Sequence, residues 1–279
     1  MKKRKVKENF MEGLFFIAAA ASIFAVVLIC FFLMANGVPA IGKIGLVKFL
    51  FGTEWSPSDI PPLYGIASMI VGSLYVTAGA IIIGVPIGLF TAVFLSKICP
   101  TKLYKIMKPG VDLLAGIPSV VYGFFGMAAV VPIFGNSIIS GCIILGIMIL
   151  PTIIGISESA IRAVPSEYYE GSVALGAGKY RTLYKVVVPA AKSGILAGIV
   201  LGIGRAIGET MAVIMVMGNQ ARMPVSLLKG ARTLTGNIVI EMGYAEGLHR
   251  EALIATGVVL FVFILIINLS FSALKGRKK

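Results

Sequence analysis

The sequence predicts an all-α integral membrane protein with six transmembrane helices and cytoplasmic N- and C-termini. Three observations carry this: an apolar excess too large for one soluble core, uncharged runs long enough to cross a bilayer, and basic residues gathered on one side. Of 279 residues, 58% are hydrophobic and 13% charged, whereas a soluble domain carries about a quarter charged residues. The surplus apolar surface calls for lipid. A β-barrel would instead need many short alternating segments.

A span takes about 20 apolar residues at about 1.5 Å rise each. Residues 13–36 form the first, after the basic start Lys2-Lys3-Arg4-Lys5. Its apolar stretch exceeds the roughly 7–15 residues of a cleaved signal, so it reads as an uncleaved anchor. Residues 65–96 carry no charge and hold the second span, with a tilt or bend expected near Pro86. Residues 113–157 are uncharged and too long for one crossing. The breakers in Pro132-Ile133-Phe134-Gly135-Asn136-Ser137 divide this region into spans 111–132 and 138–158. Spans 193–217 and 252–274 complete a single membrane domain over residues 1–279.

Charge placement sets the orientation. The N-terminus, the loop 97–108, the loop 161–192 and the C-terminus hold 18 Lys and Arg residues. The opposite side holds six: Lys43, Lys48, Arg222, Lys229, Arg232 and Arg250. This bias places the basic loops and both termini in the cytoplasm. It also accounts for the net charge of +13 without a nucleic-acid stripe. Cys30, Cys99 and Cys142 lie in or beside apolar runs without CxxC spacing, so they indicate neither a disulfide framework nor a zinc site.

Two motifs are decoys. Gly178-Lys179 resembles the end of a phosphate-binding loop, but Val173 replaces the first glycine and Tyr180 the Ser/Thr that would meet magnesium. This chain is therefore not expected to hydrolyse ATP. Gly202-Ile203-Gly204-Arg205-Ala206-Ile207-Gly208 has one residue too many for a dinucleotide fingerprint and lies inside a span. Gly194, Gly198 and Gly202, with Gly204 and Gly208, recur at four-residue intervals suited to close helix packing.

The cytoplasmic loop 161–192 predicts a short helix from Tyr168 to Leu175, a turn at Gly176-Ala177-Gly178, and a second helix from Lys179 to Val187 ended by Pro189. Glu170, Lys179, Arg181 and Lys185 would be available to a partner. An amphipathic connector resting on the membrane surface fits the spacing equally well.

Glu170-Gly171-Ser172, Gly176 and Val186-x-Val188-Pro189 resemble the coupling motif of binding-protein-dependent ABC importer permeases. Gly171 and Ser172 replace that motif's alanines, and valines replace its Ile and Leu. The resemblance implies a type I importer permease fold in which this loop docks on a partner ATPase. It narrows to phosphate importer permeases of the PstC type through three stretches. These are Gly204-Arg205-Ala206-Ile207-Gly208-Glu209-Thr210-Met211-Ala212-Val213, Ala115-Gly116-Ile117-Pro118-Ser119-Val120-Val121-Tyr122-Gly123, and Phe51-Gly52-Thr53-Glu54-Trp55-Ser56-Pro57. Arg232-Thr233-Leu234-Thr235 belongs to the same match. Met211-Ala212-Val213 favours PstC over the paralogous PstA type, which usually has Ala-Pro-Leu there. The implied partners are a PstA-like permease subunit in a heterodimer, two cytoplasmic ATPase subunits that use the ATP, and an extracytoplasmic phosphate-binding protein. No cofactor is expected on this chain. Other oxyanions such as sulfate or molybdate, and an ATP-independent carrier or channel, are the rival readings.

Arg205 and Glu209 are the strong charges well inside a span, and an Arg at a span centre costs about 2.5–3.5 kcal/mol on the insertion scale. Their i,i+4 spacing predicts one helix face, either as a self-neutralised packing pair or as a substrate pathway in which Arg205 attracts an oxyanion. Thr210 follows them directly. Gly116-Ile117-Pro118-Ser119 predicts a distorted third span that presents Ser119 and Tyr122 to the same path, or else a plain proline kink. Asp112 and Glu158 read as interfacial, and Trp55, with Lys43 and Lys48, as an outer-interface anchor. His249 lacks a second ligand for a metal. Residues 219–250 form the largest outer polar stretch, where the family resemblance implies contact with a binding protein.

Overall fold

The computed structural model describes residues 2–276, with side chains from 10 to 270. The terminal Lys and Arg side chains that contribute to the charge asymmetry lie outside the described residues. The chain is almost wholly helical. Helix α1 (Lys2–Ile44) turns at Gly45 into α2 (Leu46–Phe51), and a small antiparallel ribbon of β1 (Trp55–Ser56) and β2 (Leu63–Tyr64) leads to α3 (Ala67–Val93). Then come α4 (Thr101–Gly116), α5 (Ser119–Phe125), α6 (Val131–Phe134) and the long α7 (Ile138–Arg162). The loop helices α8 (Ser166–Ala174), α9 (Lys179–Thr182) and α10 (Val188–Ala190) precede α11 (Lys192–Gly208) and α12 (Met211–Val216). Helices α13 (Leu234–Glu241) and α14 (Gly247–Gly276) close the chain.

Four helices are long and apolar enough to cross a bilayer, and the number rises to six if each of two bent pairs is one span. The chain bends by 101° between Thr101–Gly116 and Ser119–Phe134, and by 70° between Lys179–Ala190 and Lys192–Gly208. The expected third span, 111–132, is therefore not one straight helix. The fifth, 193–217, is interrupted at Glu209 and Thr210. Pro86, by contrast, sits inside an uninterrupted α3.

Prolines also explain the three π-helical segments, Phe94–Ile98, Gly126–Val130 and Leu183–Val187. In each, the residue just before a proline (Cys99, Val131 or Val188) sends its N–H five residues back, to Phe94, Gly126 or Leu183. Proline lacks an N–H and its ring crowds the carbonyl four residues earlier. A widened turn accommodates both. Pro189 accordingly does not end the second loop helix, which continues to Ala190.

Helix α7 is the most enclosed long helix and packs against both α3 and α11. Small residues set these contacts. A Cβ on Gly84 of α3 would stand 2.9 Å from the Gly146 carbonyl oxygen of α7. Gly194, Gly198 and Gly202 of α11 face Ala160, Ile156 and Ile153 of α7, as their four-residue spacing predicts. Gly204 and Gly208 face open space within this chain. Helix α1 leaves Phe15, Phe16, Phe24 and Phe31 exposed and meets α14 where Gly37 admits Val258 and Ala255.

Candidate functional site

The residues singled out in the membrane region converge on two broken helices. Helix α11 stops at Gly208, and Glu209 is extended, with φ −70° and ψ 135°. The helical i,i+4 relation between Arg205 and Glu209 therefore does not form, and no ion pair joins them among the described residues. The Glu209 carboxylate instead accepts the Ala212 N–H at 3.3 Å, capping the first turn of α12. Thr210 donates its hydroxyl to the Gly208 carbonyl at 3.3 Å. Glycine at 208 weakens the helix end, the Thr210 hydroxyl satisfies its carbonyl, and the Glu209 carboxylate caps the next helix.

Arg205 is half-buried in the last turn of α11, where its charge complements the negative end of the helix dipole. The flank around it is unfilled. Beyond their chain neighbours and the helix's own backbone, no atom of this chain lies within 4 Å of where a Cβ on Gly204 or Gly208 would stand, and Leu201, one turn before Arg205, is exposed.

The other break lies beside it. Helix α4 ends at Gly116, Ile117 and Pro118 are extended, and α5 begins at Ser119, which is half-buried. Buried Tyr122 donates its hydroxyl to the Leu114 carbonyl at 2.8 Å, spanning the break and satisfying a carbonyl near the end of α4. The Arg205 charge lies near enough to the Tyr122 phenol to act on it electrostatically. Helix α5 packs on α12 where Gly123 admits Met215 and Ala212. Arg205 and Tyr122 thus share one region, with Ser119, Glu209 and Thr210 at the edges of the breaks.

The cytoplasmic loop is a helix–turn–helix. Gly176 takes φ +84° in open space, so the turn needs glycine for its backbone and not for room. The hydroxyls of Ser172 and Thr182, 2.9 Å apart, join the two helices. Buried Leu183 and Val187 pack with Val93, Ile161 and Ile195. One side of the loop is thereby docked on the ends of α3, α7 and α11. Its other side exposes Glu170, Gly171, Gly176 and Pro189, while Val186 and Val188 are half-buried. Leu175, next to the turn, is 91% exposed.

Residues 84–279 match the family described as binding-protein-dependent transport system inner membrane component. The chain belongs to this family. It is 38% identical to the probable ABC transporter permease protein YqgH of Bacillus subtilis, over 96% of this chain and 92% of that protein. It is 33% identical to the phosphate transport system permease protein PstC of Mesorhizobium japonicum, over 89% and 84% of the two chains. Among solved structures it superposes on a chain of a bacterial alginate ABC transporter with a TM-score of 0.70 at 15% identity, covering 97% and 96%. It matches the MetNI methionine ABC transporter with a TM-score of 0.64 at 21% identity, covering 76% and 96%. The fold is that of an ABC importer permease in a multi-pass membrane protein.

In this inner membrane component one residue departs from sequence expectation, and two acidic residues gain partners that the sequence did not signal. Trp55 is not an interface anchor. It is buried and donates its indole N–H to Glu241 at 2.8 Å. The same carboxylate meets Arg232 and, at 2.8 Å, His249 Nε2. Arg232 also donates to the Asn219 carbonyl and to Asn237 Oδ1. Glu158, near the end of α7, is buried: it accepts from the Tyr104 hydroxyl and Arg162 Nε at 2.8 and 2.9 Å, with Lys108 3.4 Å away. Asp112 is exposed and pairs with Lys108. Sequence spacing carries no signal for partners 54 or 186 residues apart. Among the described residues, no group of three His, Cys, Asp or Glu side chains is arranged to hold a metal.

Proposed function

We propose that this chain is the phosphate-translocating permease subunit of an ATP-driven importer, with Arg205 as the residue that meets the anion. The observation that carries this is an arginine with no acidic partner among the described residues, at the end of α11 on a flank this chain leaves unfilled beside two helix breaks. A guanidinium stays charged and donates planar, paired hydrogen bonds that suit an oxyanion. A broken helix supplies further polar groups beside the path: Ser119 borders it, while Tyr122 and Thr210 brace the broken ends through the Leu114 and Gly208 carbonyls. Glu209, turned to cap α12, shapes the break and leaves Arg205 without a neutralising partner. The PstC-type relatives favour phosphate over other oxyanions.

In this reading a PstA-like subunit completes the heterodimer and the path. Two ATPase subunits bind and hydrolyse ATP, while this chain holds no cofactor and performs no hydrolysis. An extracytoplasmic binding protein delivers the phosphate. Both termini and the loop 161–192 face the cytoplasm. The exposed side of that loop, with Glu170, Gly171, Ser172, Gly176, Val186, Val188 and Pro189, receives ATPase movement, and its docked side passes the movement to α3, α7 and α11.

The test is radiolabelled phosphate uptake into proteoliposomes containing this chain, its permease partner, the ATPase and the binding protein, with sulfate as competitor. ATP-dependent uptake that resists sulfate and collapses in Arg205→Ala, with assembly intact, is expected. Uptake without ATP would refute the importer reading, and normal uptake in Arg205→Ala would remove that residue from the path.

A further inference from the structure

The break in the fifth span creates an unmet requirement, and a distant segment meets it. Once α11 ends at Gly208, the Glu209 carbonyl receives no backbone N–H among the described residues. The hydroxyl of Thr235, 26 residues later, donates to it at 3.0 Å. Thr235 is buried and also lies 3.2 Å from the Thr233 hydroxyl. Since Thr235 has one hydroxyl proton, committed to Glu209, the proton between the two threonines belongs to Thr233. Thr233 in turn caps α13 by accepting the Gly236 N–H at 3.1 Å. A directed chain therefore runs from Gly236 through Thr233 and Thr235 to the break.

The segment that carries this chain is held from its other sides. The Leu234 N–H donates to Ser73 of α3 at 3.0 Å. The Arg232 carbonyl oxygen lies only 2.5 Å from where a Cβ on Gly72 would stand. Farther out, Glu241 ties the end of α13 to Trp55 and His249.

We propose that Thr235 is a positioning residue for Arg205, fixing the break so that the end of α11 keeps one direction. The outer segment 231–241 then acts as the mechanical link between the outer surface and the membrane interior. This rests on the reading of Arg205 as a pathway residue.

The test uses the complete transporter in proteoliposomes, with hydrogen–deuterium exchange and phosphate uptake measured on Thr235→Val, Thr235→Ser and Thr233→Val. Valine keeps the shape and removes the donor, while serine restores it. In Thr235→Val, exchange over 210–217 should quicken about fivefold to tenfold, the factor set by one net hydrogen bond. Uptake at saturating phosphate should fall severalfold, and serine should restore both. Thr233→Val should quicken exchange at the start of α13 while sparing 210–217. Unchanged exchange over 210–217 in Thr235→Val, or no rescue by serine, would overturn the proposal. Quickened exchange with normal uptake would overturn it equally. If Arg205→Ala transports normally, the pathway reading fails on its own, and the exchange data still decide whether Thr235 holds the break.

Discussion

Replacing Glu241 with alanine should destabilise the outer cap of this protein more than any other single charge removal there. Glu241 is 6% exposed, and its carboxylate serves three groups: the Trp55 indole N–H, Arg232 and His249. Removing it strands the Trp55 N–H, a loss of about 1–3 kcal/mol for an unsatisfied buried donor. Arg232 keeps the Asn219 carbonyl and Asn237 Oδ1, so it is not left wholly without partners. His249, whose side chain is 16% exposed, can turn toward water. These two facts place the total at the low end of the roughly 3–5 kcal/mol range for breaking a buried ion pair, or about 3 kcal/mol. For a chain of this size that corresponds to a fall in melting temperature of roughly 6–12 °C.

The assay is built into the network, because Trp55 is the chain's only tryptophan. Its fluorescence, followed through a thermal melt of the purified chain in detergent, reports the cap directly. Glu241→Gln should lose about half as much, since the amide still accepts from Arg232 while presenting a donor to the remaining groups. Pairing Glu241→Ala with Trp55→Phe and reading the melt by circular dichroism should give less than the sum of the two losses. A melting temperature for Glu241→Ala within about 2 °C of the parent would refute the account of a load-sharing buried carboxylate.

Two further predictions concern the helix contacts and the loop turn. Gly84→Ala would bring a Cβ to 2.9 Å from the Gly146 carbonyl oxygen and closer still to Ile149. It should cost about 1–3 kcal/mol in the same melt, and in an Ile149→Ala background, measured against Ile149→Ala alone, that cost should shrink only in part because the backbone oxygen remains; its disappearance would show that the side chain alone sets the spacing. Gly176→Val places a β-branched residue at φ +84° in open space, so strain of roughly 1–2 kcal/mol should distort the loop turn without a clash. ATP hydrolysed per phosphate imported should rise, with Gly176→Asn close to the parent, and an unchanged ratio in the valine variant would remove the turn from coupling.

The legible part of this protein was whatever repeats at short range. Apolar runs longer than a bilayer is thick mark membrane helices whatever they pack against. Glycines four residues apart marked the face of α11 that meets α7. A glycine-centred gap between two short polar helices announced the loop, and Pro118 announced the break before α5. The same periodic reasoning failed at Arg205 and Glu209, where it assumed a helix that stops between them.

That stop is a tertiary event. A helix inside a membrane breaks stably only where something else satisfies the freed carbonyl, and here the donor is Thr235 in a distant outer segment. The burial of Trp55, Glu158 and Glu241 has the same origin, since each is stabilised by partners brought together only by folding. The sequence by itself determined the membrane, the family and the loop, because lipid thickness and local backbone rules act on neighbouring residues. Tertiary structure decided the distant partners of Glu158 and Glu241, because packing alone brings them together, whereas the Lys108–Asp112 and Glu158–Arg162 pairs follow from i,i+4 helical spacing.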